Sequence, residues 1–167
     1  MKFPVKVRLA HNINVRQKKK IMKNRSEIAV EKFKEGYNCA QSVFYSFCDD
    51  LKIKKDTALK LACGFGAGMG RKEEVCGAIS GGILVIGAKY GRGEKEDGSA
   101  MELSYQKTQD LMNQFFAKHG TFICRKLLDG CELTTREGQL YFKENDLLNK
   151  TCYPCVRSVV GILEEIL

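Results

Sequence analysis

Apolar residues recur along this chain at three- and four-residue steps, and runs that alternate apolar with polar positions are scarce. That pattern belongs to helices packed through one face. Ile28, Ala29, Phe33 and Tyr37 mark a first helix, with Asn24 and Glu27 spaced as a capping box and Gly36 at its end. Asn38 is a natural N-cap for a second helix, which opens at Cys39 and Ala40 and runs through Val43, Phe44 and Phe47 to about Cys48. Asp56 starts a third, through Leu59 and Leu61 to Cys63. The stretch Gly77 to Ala88 is apolar on every side and full of small residues, which predicts a buried central helix that neighbouring backbones approach closely. Ser99 and Glu102 are spaced as the capping box of a long amphipathic helix bearing Met101, Tyr105, Leu111, Met112, Phe115 and Phe116, closed by His119 and Gly120. Thr121 to Leu128 reads as a short helix, and Gly138 to Lys150 as a polar segment with one helical turn. A last helix begins at Pro154, with Val156, Val159, Val160, Leu163 and Ile166 on one face. The fold class this predicts is all-α: a single compact bundle of about six helices around a glycine-rich central helix.

Length and charge refine that picture. At 167 residues and 44% hydrophobic, the chain supports one domain with a real core. The formal net charge is +8, but Lys2, Lys6, Arg8, Arg16, Lys18, Lys19 and Lys20 account for all of it but one. The expected organisation is therefore a basic, disordered extension over 1–21 and a nearly neutral helical domain over 22–167, with no nucleic-acid partner. Arg16 to Ile21 also reads like translated purine-rich ribosome-binding DNA, so Met22 is expected as the natural start. Gly77 to Ala88 falls short of the roughly 18 apolar residues that span a bilayer, and no secretory pattern opens the chain. A cytoplasmic protein without a membrane partner is expected.

Eight cysteines then dominate the candidate chemistry. In a reducing compartment such a number points to metal or redox sites more than to structural disulfides. Cys39 and Cys76 open helices, where free N–H groups and the helix dipole favour a thiolate. Cys124 adjoins Arg125, a cation that would lower a thiol pKa. Cys152 and Cys155 flank Pro154 as a C-x-x-C pair at the start of the last helix, the spacing of a dithiol couple. Cys48 and Cys63 fit packed core positions, and Cys131 lies in a loop without evident purpose. Gly64 to Gly70 lacks the spacing of a nucleotide-binding loop. It reads either as a loop whose N–H groups face an anionic centre or as a close-packed turn. No C-x-x-C-H haem motif occurs. His11 and His119 are the only histidines, neither in a recognisable acid–base setting, and His119 reads as a helix-end residue.

Several segments in a fixed order also carry a family resemblance. Gly36-Tyr37-Asn38-Cys39-Ala40-Gln41-Ser42-Val43, Gly64 to Gly70, Cys76-Gly77-Ala78-Ile79-Ser80-Gly81-Gly82, Cys124-Arg125-Lys126-Leu127 and a cysteine before the last helix resemble the bacterial and archaeal family named for its C-GCAxxG-C-C pattern. The likeness runs from about Ser26 to the end of the chain. It departs at one point, where Cys76-Gly77-Ala78 stands in place of Gly-Cys-Ala. Members are described as redox-active, so the resemblance implies redox chemistry without a substrate. Against the family pattern, Cys152 with Val156 is a better match for the last cysteine than Cys155, which is then extra or a resolving thiol.

Cys39, Cys76, Cys124 and Cys152 are the expected site. They come from separate elements, so the site would form only on folding, and four thiolates in a glycine-lined pocket suit an iron–sulfur cluster first and zinc second. The leading expectation is a small electron-transfer protein with a redox partner protein of unspecified identity. The alternatives are a thiol–disulfide oxidoreductase using Cys152 with Cys155, or Cys76 with Cys124, and a helical interaction domain with inert buried thiols. A homo-oligomer is compatible with each.

Overall fold

The computed structural model describes residues 24–167. The basic stretch 1–21, the expected start at Met22 and His11 lie outside the described residues. Among the described residues there are nine right-handed α-helices and no sheet. In chain order they are α1 (Arg25–Lys34), α2 (Cys39–Ser46), α3 (Cys48–Leu51), α4 (Lys55–Ala62), α5 (Gly77–Tyr90), α6 (Gly98–His119), α7 (Cys124–Leu127), α8 (Arg136–Glu144) and α9 (Tyr153–Ile166). The excess over six comes from the single turns α3 and α7 and from α8, which is longer than the one turn its polar sequence suggests. No described helix is long and apolar enough to cross a membrane.

The central helix is α5, as its composition requires. Gly77 to Gly82, Val85 and Ile86 are buried, and α5 packs against α2, α6 and α9. Val43 and Phe44 of α2, Leu111 and Phe115 of α6, and Val156, Val159, Val160 and Leu163 of α9 close around Ile79, Val85 and Ile86. The helix is narrow where it meets its neighbours. A Cβ on Gly81 would stand 2.6 Å from the Ala40 carbonyl oxygen and 3.0 Å from Ala40 Cα, and one on Gly82 would stand 2.7 Å from Leu111 Cδ2. α2 and α5 therefore meet backbone to backbone.

Local signals decide the helix ends, with two changes from expectation. Asn38 and Gln41 form a complete capping box at α2, each side chain accepting from the other residue's N–H at 3.0 Å. Gly120 ends α6 in the left-handed region at φ 73°. At α1 only half of the expected box exists: Asn24 accepts from Ser26 N–H at 3.0 Å, and Glu27 does not reach back. At α6 the cap is Asp97, which accepts from both the N–H and the hydroxyl of Ser99 and so displaces the Ser99–Glu102 box by two residues. A carboxylate is the stronger acceptor at a helix N-terminus.

The backbone contact at Gly81 can be tested by filling it. Gly81→Ala is expected to lower stability by about 1–3 kcal/mol, because a methyl forced against backbone cannot be relieved by a rotamer change. Gly87→Ala on the same helix, where an added Cβ meets nothing within 4 Å, is expected to raise stability by up to about 1 kcal/mol. Urea unfolding should show opposite shifts in midpoint at an unchanged slope.

Candidate functional site

The N-termini of α2 and α5 meet, and that meeting brings the first two candidate cysteines together. Cys39 is the first residue of α2, and Cys76 is the N-cap of α5. Between them stands Gly77, whose missing side chain leaves room for Cys39 Sγ; a Cβ there would collide with that sulfur and come within 2.8 Å of the Phe65 carbonyl oxygen. Cys124 is tied to Cys76 by a short backbone ladder. Cys76 N–H donates to the Phe122 carbonyl (2.8 Å), Cys124 N–H to the Glu74 carbonyl (2.7 Å) and Arg125 N–H to the Glu73 carbonyl (3.0 Å), around a bridge between Val75 and Ile123. This extended pairing is why the helix expected from Thr121 is only the turn Cys124–Leu127.

The glycine stretch forms the next wall. Ala67, Gly68, Met69, Gly70 and Arg71 all lie in the left-handed region, with φ between 52° and 69°, and Glu73 follows at 58°. Each non-glycine residue there costs roughly 1–2 kcal/mol, so the surroundings must hold the turn. Glu73 N–H donates to the Ala67 carbonyl at 3.3 Å and Glu74 N–H to the Gly68 carbonyl at 3.1 Å. Gly68 could not be another residue, since its Cβ would lie 2.7 Å from Glu73 Cα and 2.8 Å from Cys124 Cβ. Both readings of this loop have support: the turn is close-packed, and the Ala67 N–H is directed at the Cys39 thiol.

Together these elements enclose a cavity of about 280 Å³ lined by Cys39, Cys76, Cys124, Cys152 and Cys155. Cys152 ends a π-helical turn (Leu148–Cys152) and is half-buried, while Cys155 is buried in the first turn of α9 beside Cys76. All eight cysteines are free thiols. The cavity lies on a seam. Cys39, Cys76 and Cys155 belong to the main core, whereas Cys124 and Cys152 belong to a smaller apolar cluster with Leu128, Cys131, Leu133, Leu147 and Phe142. Of the cysteines set aside in the sequence, Cys48 is fully buried and its thiol donates to the Phe44 carbonyl at 3.4 Å. Cys63 is exposed, against its expected core position. Cys131 is buried, its thiol donating to the Gly138 carbonyl at 3.1 Å.

Electrostatics at the site run against the thiolate. Burial and the neighbouring Cys76 push the Cys39 thiol from its ordinary 9.0 to about 12, although the Ala67 and Ala40 N–H groups pull it down. The Cys76 thiol is raised by its hydrogen bond with Cys155 and then by burial, against the N–H groups of Ala78 and Ile79. Cys124 and Cys152 are raised by burial and by the other thiols of the cavity. Helix N-termini therefore act as expected but do not prevail. Arg125 does not activate Cys124 either. Its guanidinium pairs with Glu73 and, at 2.9 Å, with Glu132, and Glu73 adds to the upward push on Cys124.

Glu73 is the structural residue that the sequence reading missed. It is 1% exposed; Oε1 accepts from the Leu133 N–H at 2.7 Å, and Oε2 faces Arg125 as an ion pair. One carboxylate thus ties the left-handed turn to α7 and to the segment leading into α8. Its only signal in the sequence is a charged residue close to a glycine turn. His119 stays outside the site: it stacks on Phe115 and hydrogen-bonds the Ser158 hydroxyl at 2.9 Å, and burial lowers its pKa.

Among the described residues no three His, Cys, Asp or Glu side chains converge closely enough to hold one metal ion. The thiols surround a space instead of a point. A family model described as "Putative redox-active protein (C_GCAxxG_C_C)" matches residues 37–166. No curated protein and no solved structure matches.

Two measurements test this geometry. Because the folded chain holds the Cys39 proton up to about pH 12 while the unfolded chain releases it near the ordinary thiol pKa, the stability of reduced, metal-free protein should be complete below about pH 9. It should fall above that by about 1.4 kcal/mol per pH unit for each such thiol; denaturant unfolding between pH 7 and pH 11 reads the slope. Glu73→Ala strands the buried Leu133 N–H and is expected to destabilise the protein by about 1–3 kcal/mol. Hydrogen exchange should then show the amides of 132–150 losing protection first, and Glu73→Gln, which keeps an acceptor for Leu133, should restore most of it.

Proposed function

The chain belongs to the C_GCAxxG_C_C family of redox-active proteins, and from that premise we propose that Cys39, Cys76, Cys124 and Cys152 hold an iron–sulfur cluster for electron transfer. One observation carries the reading: thiols from four separate elements line a single cavity walled by a glycine turn. The donor set is soft, which suits iron–sulfur or zinc centres. A zinc site needs its ligands about 2.3 Å from one point, whereas a cluster spaces its four thiolates around a larger volume, for which a cavity of about 280 Å³ has room. Zinc is the second choice for the same four residues.

When bound, such a cluster would supply one-electron redox chemistry at a potential set by burial, charge and hydrogen bonds to its sulfurs. The chain's own residues would set those conditions. Gly68 and Gly77 let backbone approach Cys124 and Cys39, and the Ala67 N–H donates toward Cys39 Sγ, a contact that favours the charged form of that sulfur. Leu128, Leu133 and Phe142 cover the thiols on the opposite side and limit water. Without a cation the raised thiol pKa values keep the site protonated, so loading would release protons and couple to stability. The cytoplasm, read from the cysteine content, is part of this same proposal.

A second reading has its own observation. Cys155 is the hydrogen-bond partner of Cys76, so a dithiol couple would use Cys76 with Cys155 in preference to the pairs read from the sequence. The two thiols would lose two protons and two electrons to an acceptor disulfide, forming one S–S bond.

The deciding experiment is anaerobic purification from iron-supplemented cells, with the visible spectrum, iron and acid-labile sulfide measured on one sample. Visible absorption that bleaches with dithionite, with iron and sulfide in stoichiometric amounts, is the expected result. Cys39→Ser, Cys76→Ser, Cys124→Ser and Cys152→Ser should each remove most of the iron, and Cys155→Ser should keep it. A wild-type level of iron in Cys39→Ser would refute the four-ligand arrangement. Loss confined to Cys76→Ser and Cys155→Ser of a reversible two-electron titration would instead establish the dithiol couple.

A further inference from the structure

Across the cavity from the thiols, the lining changes character. Leu127, Leu133, Phe142 and Leu148 form an apolar wall, and among the described residues the only charged ones on the cavity surface are Arg71 and Lys143. Both are basic, and no described Asp or Glu shares the lining. In a molecule whose other surface cations are often paired, as Arg25, Lys32, Lys55, Lys60 and Arg125 are, the side chains of these two have no ion pair, hydrogen bond or ring contact among the described residues. They also arrive from different directions. Arg71 stands on the left-handed turn and Lys143 on α8, so the cavity is flanked by both cations and roofed by apolar side chains.

Arg71 makes the arrangement harder to regard as incidental. Its φ of 69° is a conformation that a glycine would adopt freely and that strains a larger residue. Backbone outliers of this kind gather at functional sites, and here the outlier delivers an unpaired guanidinium to the edge of a cavity. An exposed pair of cations in water attracts an anion weakly, but beside low-dielectric walls the same charges act with less screening. A concave apolar pocket with a few convergent polar groups is the usual form of a small-molecule site.

We propose that the space over the thiols is a binding site for a small organic anion, whose apolar body lies against Leu133, Phe142 and Leu148 and whose charged group is held by Arg71 and Lys143. This deepens the redox reading, on which it rests for the ligand's role as the molecule the thiol centre serves; binding itself is measured independently of that role. The charge preference excludes cationic ligands and disfavours neutral ones. The cavity of about 280 Å³ has to hold the thiol centre as well, so large ligands are excluded.

The test uses full-length protein, both as purified with iron and after the iron has been removed, titrated with para-fluorobenzoate and with its neutral counterpart para-fluorobenzyl alcohol and followed by fluorine NMR. The expected result is saturable binding of the anion to the iron-containing protein, about tenfold tighter than the alcohol. The double variant Arg71→Gln with Lys143→Gln should remove that preference and leave the alcohol unchanged. Both positions are exposed, so the variant should fold, and its circular dichroism and iron content serve as controls. Equal affinity for the two probes, an anion preference that survives the double substitution, or no saturable binding would overturn the proposal. Binding seen only after iron removal would also overturn it, because the space would then be no more than the chamber of the centre. Anion binding with the expected dependence in a protein that never holds iron would sink the cluster reading and leave this site standing.

Discussion

The backbone contact between α2 and α5 is the constraint on which the rest depends. Helices with ordinary side chains stand about 8–10 Å apart, and at that distance the two N-termini would not present Cys39 and Cys76 to one space. Gly77 and Gly81, one turn apart on the same face of α5, remove the obstruction, one against Cys39 Sγ and the other against the Ala40 backbone. Once the helices touch, the segment that joins them has little freedom left. The turn after α4 has to reverse within a few residues beneath Cys39, and the left-handed backbone from Ala67 to Arg71 is how it does so. The ladder from Glu73 to Cys76 then fixes Cys124, and only Cys152 and Cys155 arrive by a separate route, at the start of α9.

Magnitudes explain why these buried thiols hold their protons. A helix N-terminus favours a nearby anion by about 0.3–1 kcal/mol, rarely 2. Raising a thiol from 9.0 to about 12, as at Cys39, corresponds to about 4 kcal/mol against the thiolate. Burial and mutual repulsion win, and the neighbouring guanidinium of Arg125, committed to Glu73 and Glu132, does not reverse the outcome. A site of this kind is poorly suited to free thiolate nucleophiles and well suited to a centre that brings its own positive charge.

Much of the helical framework was legible because its signals are local. Asn38 as an N-cap, the glycine-rich core helix, Gly120 and the apolar face after Pro154 need no knowledge of the rest of the chain. The errors fall where a different residue decides. Asp97 took the cap from Ser99, a competition between two nearby acceptors. The pairing of Val75 with Ile123 stole the first turn from the helix expected at Thr121. Cys63, placed in the core by periodicity, faces solvent because α4 gives way to a tight 3₁₀ turn. The four candidate thiols could be named from helix starts and from the family pattern, but not their common cavity, the contact of Cys155 with Cys76, or the burial of Glu73. Those depend on how α7, α8 and α9 close over the turn, and a single sequence carries no signal of that closure.

The cavity is built from two unequal halves. Its floor is close-packed at Gly66, Gly68 and Gly77, set against the Asn38 side chain, the Glu73 backbone and Cys39 Sγ, where even a methyl group finds no room. Its roof, from Leu133 to Leu148, is side chains borne on and around α8, joined to the floor through a small apolar cluster and one carboxylate. The two halves therefore differ in what descent can do with them. A larger residue in the floor would collide with its neighbours at once, while α8, which carries no cysteine, can change its outer side chains more freely as long as Leu133 and Phe142 still pack with Cys124 and Cys152. A lineage that kept this floor and varied that helix would keep the same thiols and present them to different company.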